Sequence, residues 1–356
     1  MSSVEIMKLI QGNVLSLKPY HVESTDCEIK LHANENPFPP SKELLELFSS
    51  SLQKLQLNRY PDPDSRALKD SIADRLGIET KHLVIGNGSD EIILFLLQVF
   101  CQKGDTITFP DPTFSMYSII AQSLGIKSVS ISLDNHWDFS ADVILQSAEE
   151  NNSKIIFLSY PNNPTGNCFS DTQVQKVIDN FQGIVVIDEA YHDFSRKSFV
   201  NQIKEHNNLI VLRSLSKIGL AALRVGFGVA DPLVISEINK VRLPYNSNTI
   251  SQAFAENLIT NFEAVQTQIN SILDERHRLL DELHKIESVT AFPSDSNFIL
   301  FKTKQPAGSI FVFLAKNGIL VRNLSLHPKL NNCLRVTVGT KSENDRFLSK
   351  LKDFKN

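Results

Sequence analysis

The sequence predicts an α/β fold, with a large domain whose mostly parallel, mixed sheet is sandwiched by helices and a smaller α+β domain at the C-terminal end. Two observations in the 356-residue chain predict it. From about residue 41 to 245, short β-rich apolar runs alternate with amphipathic helical stretches, which is typical of a sheet covered on both faces. Beyond that region a long helical stretch precedes the remaining strands. We therefore expect a large domain over 41–245, a small domain over 246–356, and an N-terminal arm over 1–40 that forms part of the small domain.

The first elements of the large domain carry clear boundary signals. Ser41 begins a helix with an apolar stripe, and a second helix follows Ser65. That second helix stops at Gly77, because glycine readily adopts the left-handed conformation that ends helices. A strand at 82–85 then runs into a glycine turn, and an apolar helix follows over 89–100.

The remaining elements follow the same alternation. Strands are predicted at 106–109, 127–133, 154–159, 184–187, 209–212 and 225–229, with helices at 116–124, 142–149 and 172–181. In the smaller domain we expect one helical stretch from about 249 to 286, strands at 298–301, 319–321 and 333–338, and helices at 310–316 and 343–351. In sheets of this kind, ligands bind beyond the carboxyl ends of the strands.

Composition and charge exclude several classes of function. A formal net charge of −4 and a pI near 6.2 show no excess of basic residues that would favour binding to nucleic acid or to an anionic membrane. No apolar run approaches the ~18 residues of a membrane span, and the first residues do not resemble a secretory signal. The four cysteines are far apart and the nine histidines form no close pair, so we expect no disulfide framework and no metal site. These features favour a cytoplasmic protein that acts on small molecules.

The segment from Ser214 to Arg224 is the first candidate for chemistry. Lys217 lies between Ser216 and an apolar, glycine-containing run that ends in Arg224. A lysine in a partly apolar site beside a second cation has a lowered pKa and condenses with an aldehyde. Serine hydroxyls and an arginine are donors that hold a phosphate. Together they describe a pyridoxal-phosphate site, although the segment alone also fits a solvated loop charge.

Two further motifs end predicted strands. Asn163 lies in the turn-forming segment 160–166, where its amide can donate to a ring hydroxyl or only shape the turn. Asp188 ends the apolar run 183–187 and either caps that strand end or pairs with a pyridine nitrogen and keeps it protonated. Tyr191 can then hydrogen-bond the phenolic oxygen of the ring beside Asn163.

Residues near the start of the large domain add two more candidates. Ser89 and Asp90 begin a helix after a glycine turn, and free amides at a helix N-terminus favour a phosphate, although both residues are also ordinary caps. Phe114 either packs in the core or stacks on a flat cofactor ring. Asn163, Asp188 and Lys217 each follow a predicted strand, so one ligand can meet all three.

The ordered motifs NPTG, DEAY and SLSK…LRVG resemble the fold-type I, pyridoxal-phosphate-dependent aminotransferases of classes I and II, over most of the chain. Three further segments resemble the histidinol-phosphate aminotransferases in particular: LHANENP at 31–37, RYPDP at 59–63, and VR at 321–322 with LRVTVGT at 334–340. The spacing from Lys217 to Arg224 is one residue shorter than in the family's SKxxGLAxLR pattern, which shortens the loop before Arg224.

The resemblance implies a role for each matched residue. Lys217 would form the imine with the cofactor, Asp188 would pair with its pyridine nitrogen, Asn163 and Tyr191 would contact the ring oxygen, and Phe114 would stack on the ring. The cofactor phosphate would be held by Ser89, Asp90, Ser214, Ser216 and Arg224, with Tyr60 reaching it from the partner subunit of a homodimer. Substrate would be held by Arg335, Arg322, Asn36 and Tyr20.

The activity that the resemblance implies is a ping-pong transamination in histidine biosynthesis. L-Histidinol phosphate and 2-oxoglutarate would give imidazole-acetol phosphate and L-glutamate, with both anionic substrates held by Arg335. Three alternatives stay open at this stage: an aromatic amino-acid aminotransferase, a pyridoxal-phosphate-dependent decarboxylase of a phosphorylated amino acid, and a cofactor-binding regulator without turnover. The intact set of Lys217, Asp188 and Tyr191 argues against the regulator.

Overall fold

The computed structural model describes residues 3–19 and 25–354, and two β-sheets organise this part of the chain. The strands are β1 (Ile29–Leu31), β2 (Leu83–Asn87), β3 (Thr106–Asp111), β4 (Lys127–Ser132), β5 (Ser153–Ser159), β6 (Ile184–Asp188), β7 (Leu209–Ser214), β8 (Val225–Val229), β9 (Val289–Ala291), β10 (Phe298–Thr303), β11 (Ile319–Asn323) and β12 (Cys333–Thr337).

Helices connect and cover these strands. They are α1 (Ser3–Met7), α2 (Gly12–Leu15), α3 (Lys42–Lys54), α4 (Arg66–Leu76), α5 (Ser89–Phe100), α6 (Met116–Ser123), α7 (Ala141–Glu150), α8 (Asp171–Asn180), α9 (His192–Ser195), α10 (Pro232–Val241), α11 (Thr249–Thr260), α12 (Glu263–His284), α13 (Ala307–Lys316) and α14 (Lys341–Asp353).

The larger sheet has the strand order β2-β8-β7-β6-β5-β3-β4. The strands from β7 to β4 run parallel to one another, and β8 lies antiparallel to both of its neighbours. Alternate residues of the central strands enter different hydrophobic clusters: Ile156 and Leu158 pack in one, while Ile155 and Phe157 pack in the other. Because successive side chains of a strand point to opposite faces, the sheet is buried on both sides. The predicted helix-sandwiched, mostly parallel sheet is confirmed.

The smaller sheet has the order β1-β11-β12-β10-β9 and completes the predicted α+β part of the fold. Its last four strands are antiparallel neighbours, whereas β1 pairs in parallel with β11. The segment 29–31 precedes the whole of the larger sheet in sequence, yet it supplies an edge strand of the smaller sheet. Helix α11 packs against α3 and α4, which lie within the region predicted to be the large domain.

Several boundaries follow the local chemistry that predicted them. The Ser41 hydroxyl accepts a hydrogen bond from the Leu44 amide at the start of α3 (3.2 Å), and Gly77 ends α4 with a left-handed φ of 64°. The prediction of a single helical stretch from 249 to 286 is wrong, because the helix is interrupted at Asn261 and Phe262, between α11 and α12. Helix α10 was not predicted, although Asp231 caps it.

None of the helices in the described part of the chain combines the length and the apolar character of a bilayer-spanning helix. Over the same residues, no group of three His, Cys, Asp or Glu side chains is placed to bind a metal ion.

Candidate active site

A cavity of about 620 Å³ opens where the central strands of the larger sheet end. Ser159, Asp188 and Ser214 are the last residues of β5, β6 and β7, and all three line it. Residues of β11 and β12 close another wall, so both sheets contribute. The lining residues that the sequence predicted are Lys217, Asp188, Tyr191, Asn163, Ser89, Asp90, Phe114, Ser214, Ser216, Arg224, Arg322 and Arg335.

Lys217 ends a short 3₁₀ turn that directly follows β7, which brings its side chain into the cavity. Burial, and after it the charge of Arg335, lowers the pKa of this lysine to about 8. Lys217 Nζ lies 5.8 Å from the centroid of the Tyr191 ring. A larger fraction of the amine is therefore neutral, and hence nucleophilic, near neutral pH than for a lysine in water.

Asp188 is the buried carboxylate of the cavity, with only 3% of its surface exposed. Its Oδ2 accepts a hydrogen bond from the Tyr117 hydroxyl (2.8 Å), and its Oδ1 accepts one from the Ala190 amide (3.1 Å). Burial raises the pKa of Asp188 to about 6, although the two hydrogen bonds oppose this rise. The group is thus mainly ionised at neutral pH. Sequence reasoning did not assign a role to Tyr117.

Tyr191 and Asn163 reach the cavity beside Asp188 and Lys217. The Tyr191 hydroxyl accepts a hydrogen bond from Asn34 Nδ2 (2.8 Å), and its ring packs edge-on against Phe298. Oδ1 of Asn163 accepts a hydrogen bond from Arg335 Nη1. Asn34 lines the cavity but was not predicted to do so.

The predicted substrate contact Asn36 is not among the residues that line the cavity. Its Nδ2 donates to Gln268 Oε1 (2.8 Å), and its Oδ1 accepts from the Phe38 amide (2.9 Å), so both ends of the side chain shape the segment that follows β1. Asn34, two positions earlier, faces the cavity instead. Its backbone is left-handed, with φ of 56°, so the two asparagines do not follow the regular alternation of an extended strand.

Hydroxyl groups and one guanidinium form a cup at the N-terminus of α5. Ser89, Ser214 and Ser216 line this part of the cavity, and Arg224 Nη1 donates to the Ser216 hydroxyl (3.3 Å). Asp90 Oδ2 accepts from Arg224 Nη2 (3.0 Å), so the Asp90 carboxylate orients the arginine. The loop that is one residue short still brings the Arg224 guanidinium to the cavity, with a left-handed φ of 55° at that residue.

Two glycines leave space for this cup. A Cβ atom at Gly226 would lie 2.3 Å from the Ser89 amide nitrogen, and one at Gly88 would lie 2.6 Å from Arg224 Nη2. Gly88 also has a φ of 83°, which side chains with a Cβ rarely adopt. Helix amides, hydroxyls and a guanidinium around such a concave surface are suited to a phosphate group.

A second cationic group lies on the smaller sheet. Arg322 of β11 and Arg335 of β12 are directly opposed in the antiparallel register, and both line the cavity. Arg335 is 8% exposed and donates from Nη2 to the carbonyl oxygen of His32 (2.7 Å). Burial lowers the pKa of His32, and the charges of the two arginines lower it further, while Glu35 raises it. Two paired guanidinium groups at one wall describe a site for a second anion.

Of the predicted tyrosines, Tyr60 lies on the surface of the subunit. Tyr60 is 80% exposed and stacks on Tyr245 at 4.5 Å, and it is not among the residues that line the cavity of its own subunit. Tyr20 lies outside the described residues.

Glu189, next to Asp188, anchors the strand end from behind the cavity. Its fully buried carboxylate accepts hydrogen bonds from Arg213 Nη2 (3.0 Å), the Ser198 hydroxyl (2.8 Å) and the Phe199 amide (2.6 Å). These contacts tie the end of β6 to the end of β7. Glu189 therefore supports the positions of the residues that flank it, without itself lining the cavity.

Replacing Glu189 with glutamine should lower the free energy of unfolding by about 3 kcal/mol, because Arg213 would keep a mostly buried charge without its partner. Urea unfolding followed by circular dichroism measures the change. The matched control is Glu28→Gln, which removes an exposed ion pair with Arg346 and should leave the unfolding midpoint unchanged. Equal midpoints for the two variants would contradict the anchoring role.

The donors around the cavity fit pyridoxal 5′-phosphate. An amine with a lowered pKa, a buried carboxylate and a phosphate cup shaped by two glycines face one space, with Phe114 on its lining. Each of these groups has a counterpart on the cofactor: an aldehyde, a pyridine nitrogen, a phosphate and a flat ring.

The sheet order, the two-sheet cavity and this donor set define a vitamin B6-dependent class of enzyme. Residues 27–351 match the family described as aminotransferase class I and II, and the chain therefore belongs to that family.

Curated relatives share nearly the full length of the chain. It is 39% identical to the histidinol-phosphate aminotransferase of Aquifex aeolicus (strain VF5) over 346 residues. This match covers 97% of the chain and 98% of the relative. It is 38% identical over 349 residues to that of Thermoanaerobacter sp. (strain X514), with 98% and 99% covered.

A solved structure confirms the fold class. The crystal structure of histidinol-phosphate aminotransferase from Sinorhizobium meliloti in complex with pyridoxal-5′-phosphate superposes with a TM-score of 0.89 at 20% identity, covering 97% of each chain.

Proposed function

We propose that this aminotransferase uses pyridoxal 5′-phosphate to transfer the amino group of L-histidinol phosphate to 2-oxoglutarate, giving imidazole-acetol phosphate and L-glutamate in histidine biosynthesis. The observation that carries the proposal is the presence of two anion sites in one cavity, the cup around Arg224 and the pair of Arg322 and Arg335. One suits the phosphate of the cofactor, and the other suits the phosphate of a substrate or the carboxylate of glutamate. The full-length relatives named histidinol-phosphate aminotransferase support this choice of substrate.

Each residue of the cavity has a task in this proposal. When bound, the cofactor supplies an aldehyde for an amine and a ring that accepts electrons. Lys217 Nζ would hold the cofactor at its aldehyde and, as a free amine, would move a proton from the amine-bearing carbon of the substrate to the carbon of the former aldehyde. Its pKa of about 8 keeps part of the amine ready to accept that proton. Asp188 would hold the proton on the ring nitrogen, and Asn163 and Tyr191 would contact the ring oxygen.

The remaining cavity residues hold the two reactants in place. Ser89, Ser214, Ser216 and Arg224 bind the cofactor phosphate, and Asp90 supports this through its ion pair with Arg224. Phe114 offers its ring to one face of the cofactor. Arg335, together with Arg322, binds the anionic end of the substrate, and orientation of this kind lowers the entropy cost of reaction.

The second part of the proposal is a homodimer with shared active sites. Tyr60 is exposed on the subunit surface, where the apolar side chains Leu57 and Leu243 are exposed as well. We assign to Tyr60 a contact with the cofactor phosphate in the partner subunit, as the resemblance to the family implies. A mass in solution equal to one subunit would contradict this part.

We also propose a cytoplasmic location. All four cysteines lie in the described residues and none forms a disulfide, which suits a reducing compartment. Fractionation of the cells that make the protein tests this, and recovery outside the cytoplasm would contradict it.

The substrate is tested by mixing the cofactor-loaded protein with a single amine and following the visible absorbance of the bound cofactor in a stopped-flow instrument. L-Histidinol phosphate should react with a second-order rate constant about 10²-fold above that of L-histidinol, because the second anion site binds the phosphate. 2-Oxoglutarate should then restore the original spectrum. Arg335→Gln should reduce the preference for the phosphorylated amine.

Other outcomes of this experiment separate the alternatives. A faster reaction with L-phenylalanine would contradict the substrate and favour an aromatic amino-acid aminotransferase. Release of carbon dioxide from a phosphorylated amino acid, without amino transfer, would favour a decarboxylase. No spectral change with any amine would contradict the whole proposal.

A further inference from the structure

Tyr117 does not line the cavity, but it binds the carboxylate of Asp188, which does. The side chain is fully buried in the first turn of α6, and its hydroxyl donates to Asp188 Oδ2 at 2.8 Å. The other oxygen of Asp188 accepts from the Ala190 amide. With both oxygens engaged, the carboxylate cannot rotate freely, and its orientation is set by these two donors.

Aromatic packing fixes the Tyr117 ring in turn. The ring stacks on Phe157 with centroids 4.8 Å apart and 16° between planes, and it meets Phe114 edge-on at 5.5 Å. Phe157 belongs to β5, and Phe114 lines the cavity. The hydroxyl therefore has no route to solvent, and one residue contacts both the carboxylate and the aromatic ring that the cofactor would meet.

We propose that Tyr117 is a positioning residue that keeps Asp188 ionised and correctly aimed, and thereby keeps the proton on the ring nitrogen of the bound cofactor. This inference rests on the assignment of Asp188 to that nitrogen in the proposed function. It adds the residue that sets how strongly Asp188 attracts the shared proton.

The direction of the effect follows from the hydrogen bond. A donor to a carboxylate stabilises the charged form, so the Tyr117 hydroxyl opposes the effect of burial on Asp188. Burial raises the pKa of Tyr117 well above its usual value, so this phenol keeps its proton and stays a donor. Of the other groups that face Asp188, Lys217 lowers its pKa and Asp90 raises it. Tyr191 is a further titratable neighbour, and its pKa is also raised by burial.

Removing the hydroxyl should therefore move the proton toward the carboxylate. In Tyr117→Phe, the ring and its packing remain, but Asp188 becomes a stronger base. The shared proton then shifts from the ring nitrogen to the aspartate oxygen, and the ring withdraws electrons less effectively. A purely structural tyrosine would leave the position of this proton unchanged.

The test measures the proton directly as well as turnover. Isotope-edited infrared titration of the cofactor-free protein should show the pKa of Asp188 rising by about one unit in Tyr117→Phe. The ¹⁵N chemical shift of ring-labelled cofactor should move toward that of a neutral pyridine. We expect kcat to fall about tenfold with KM nearly unchanged, because substrate contacts are not altered.

Tyr160 offers a matched control. It is also fully buried and its hydroxyl also donates to a carboxylate, that of Asp171, but neither residue lines the cavity. Tyr160→Phe should leave the Asp188 pKa and the ¹⁵N shift as they are in the natural protein. Equal shifts in the two variants would overturn the inference, since any buried hydroxyl would then act alike.

The outcomes also separate this inference from the proposed function. If the ring nitrogen of the natural protein carries no proton, the assignment of Asp188 fails, and the inference fails with it. If the nitrogen is protonated and Tyr117→Phe leaves it so, the inference alone fails. Should Tyr117→Phe not fold, 3,5-difluorotyrosine at position 117 keeps the shape and is a stronger donor, so the Asp188 pKa should fall; an unchanged pKa would overturn the inference.

Discussion

Replacing Lys217 with alanine is expected to abolish the covalent bond to the cofactor and to lower kcat/KM by at least ~10⁴-fold. Lys217 is the only lysine among the described residues that line the cavity, and the other cations there are guanidinium groups, which do not form imines. No neighbour can therefore take over its nucleophilic amine or its proton transfer. Reduction with borohydride followed by mass spectrometry of peptides measures the bond, and steady-state rates measure the activity.

Lys329→Ala is the matched control for this prediction. Lys329 pairs with Asp111 at 3.0 Å, and it is not among the residues that line the cavity. Its removal should leave the cofactor attached at position 217. A cofactor adduct on another lysine of the Lys217→Ala variant, or turnover at the natural rate, would contradict the role of Lys217.

The strand ends of the larger sheet explain why so much of the site could be predicted from the sequence. Near-continuous apolar runs such as 155–158 indicate buried parallel strands, and parallel strands in one sheet place their carboxyl ends at one edge. Asp188, Ser214 and Lys217 each stand at or just after such an end. Their convergence therefore follows from the pattern alone, without knowledge of any contact.

Contacts between distant segments could not be predicted in the same way. Tyr117 lies 71 positions from Asp188, and its place on a helix face indicates only burial, because apolar periodicity does not reveal which polar group a hydroxyl meets. Asn34 and Asn36 are of the same residue type, and the sequence does not reveal the left-handed backbone at Asn34, the one of the two that faces the cavity.

Some errors in the elements have local causes. The interruption at Asn261 and Phe262 contains neither glycine nor proline. The sequence from 249 to 286 therefore carries no signal that would end a helix there, and it predicts one helix instead of two. Strands β1 and β9 have three residues each, too few for the alternation of apolar and polar residues to be recognised in the sequence. They form because they pair with β11 and β10.

The second large effect is expected at Asp188. Asp188→Asn should lower kcat about 10²–10³-fold, because a neutral amide cannot stabilise a protonated ring nitrogen as a buried carboxylate does. The Tyr117 hydroxyl and the Ala190 amide orient the natural carboxylate, so the loss is one of charge at a fixed place. Single-turnover rates with a saturating amine measure the change without the second half of the cycle.

A cofactor analogue methylated on the ring nitrogen separates charge from shape in this variant. Its nitrogen carries a permanent positive charge, so it no longer needs a carboxylate to keep a proton, and it should restore the rate of Asp188→Asn at least about tenfold. Asp142→Asn is the control, since Asp142 pairs with Lys176 on the surface, neither residue is among those that line the cavity, and this variant should lose little activity. The analogue adds a methyl group as well as the charge, so its binding is measured alongside the rate; no rescue in an Asp188→Asn variant that binds the analogue as tightly as the ordinary cofactor would contradict the role of charge. A natural rate in Asp188→Asn with the ordinary cofactor would remove Asp188 from the mechanism altogether.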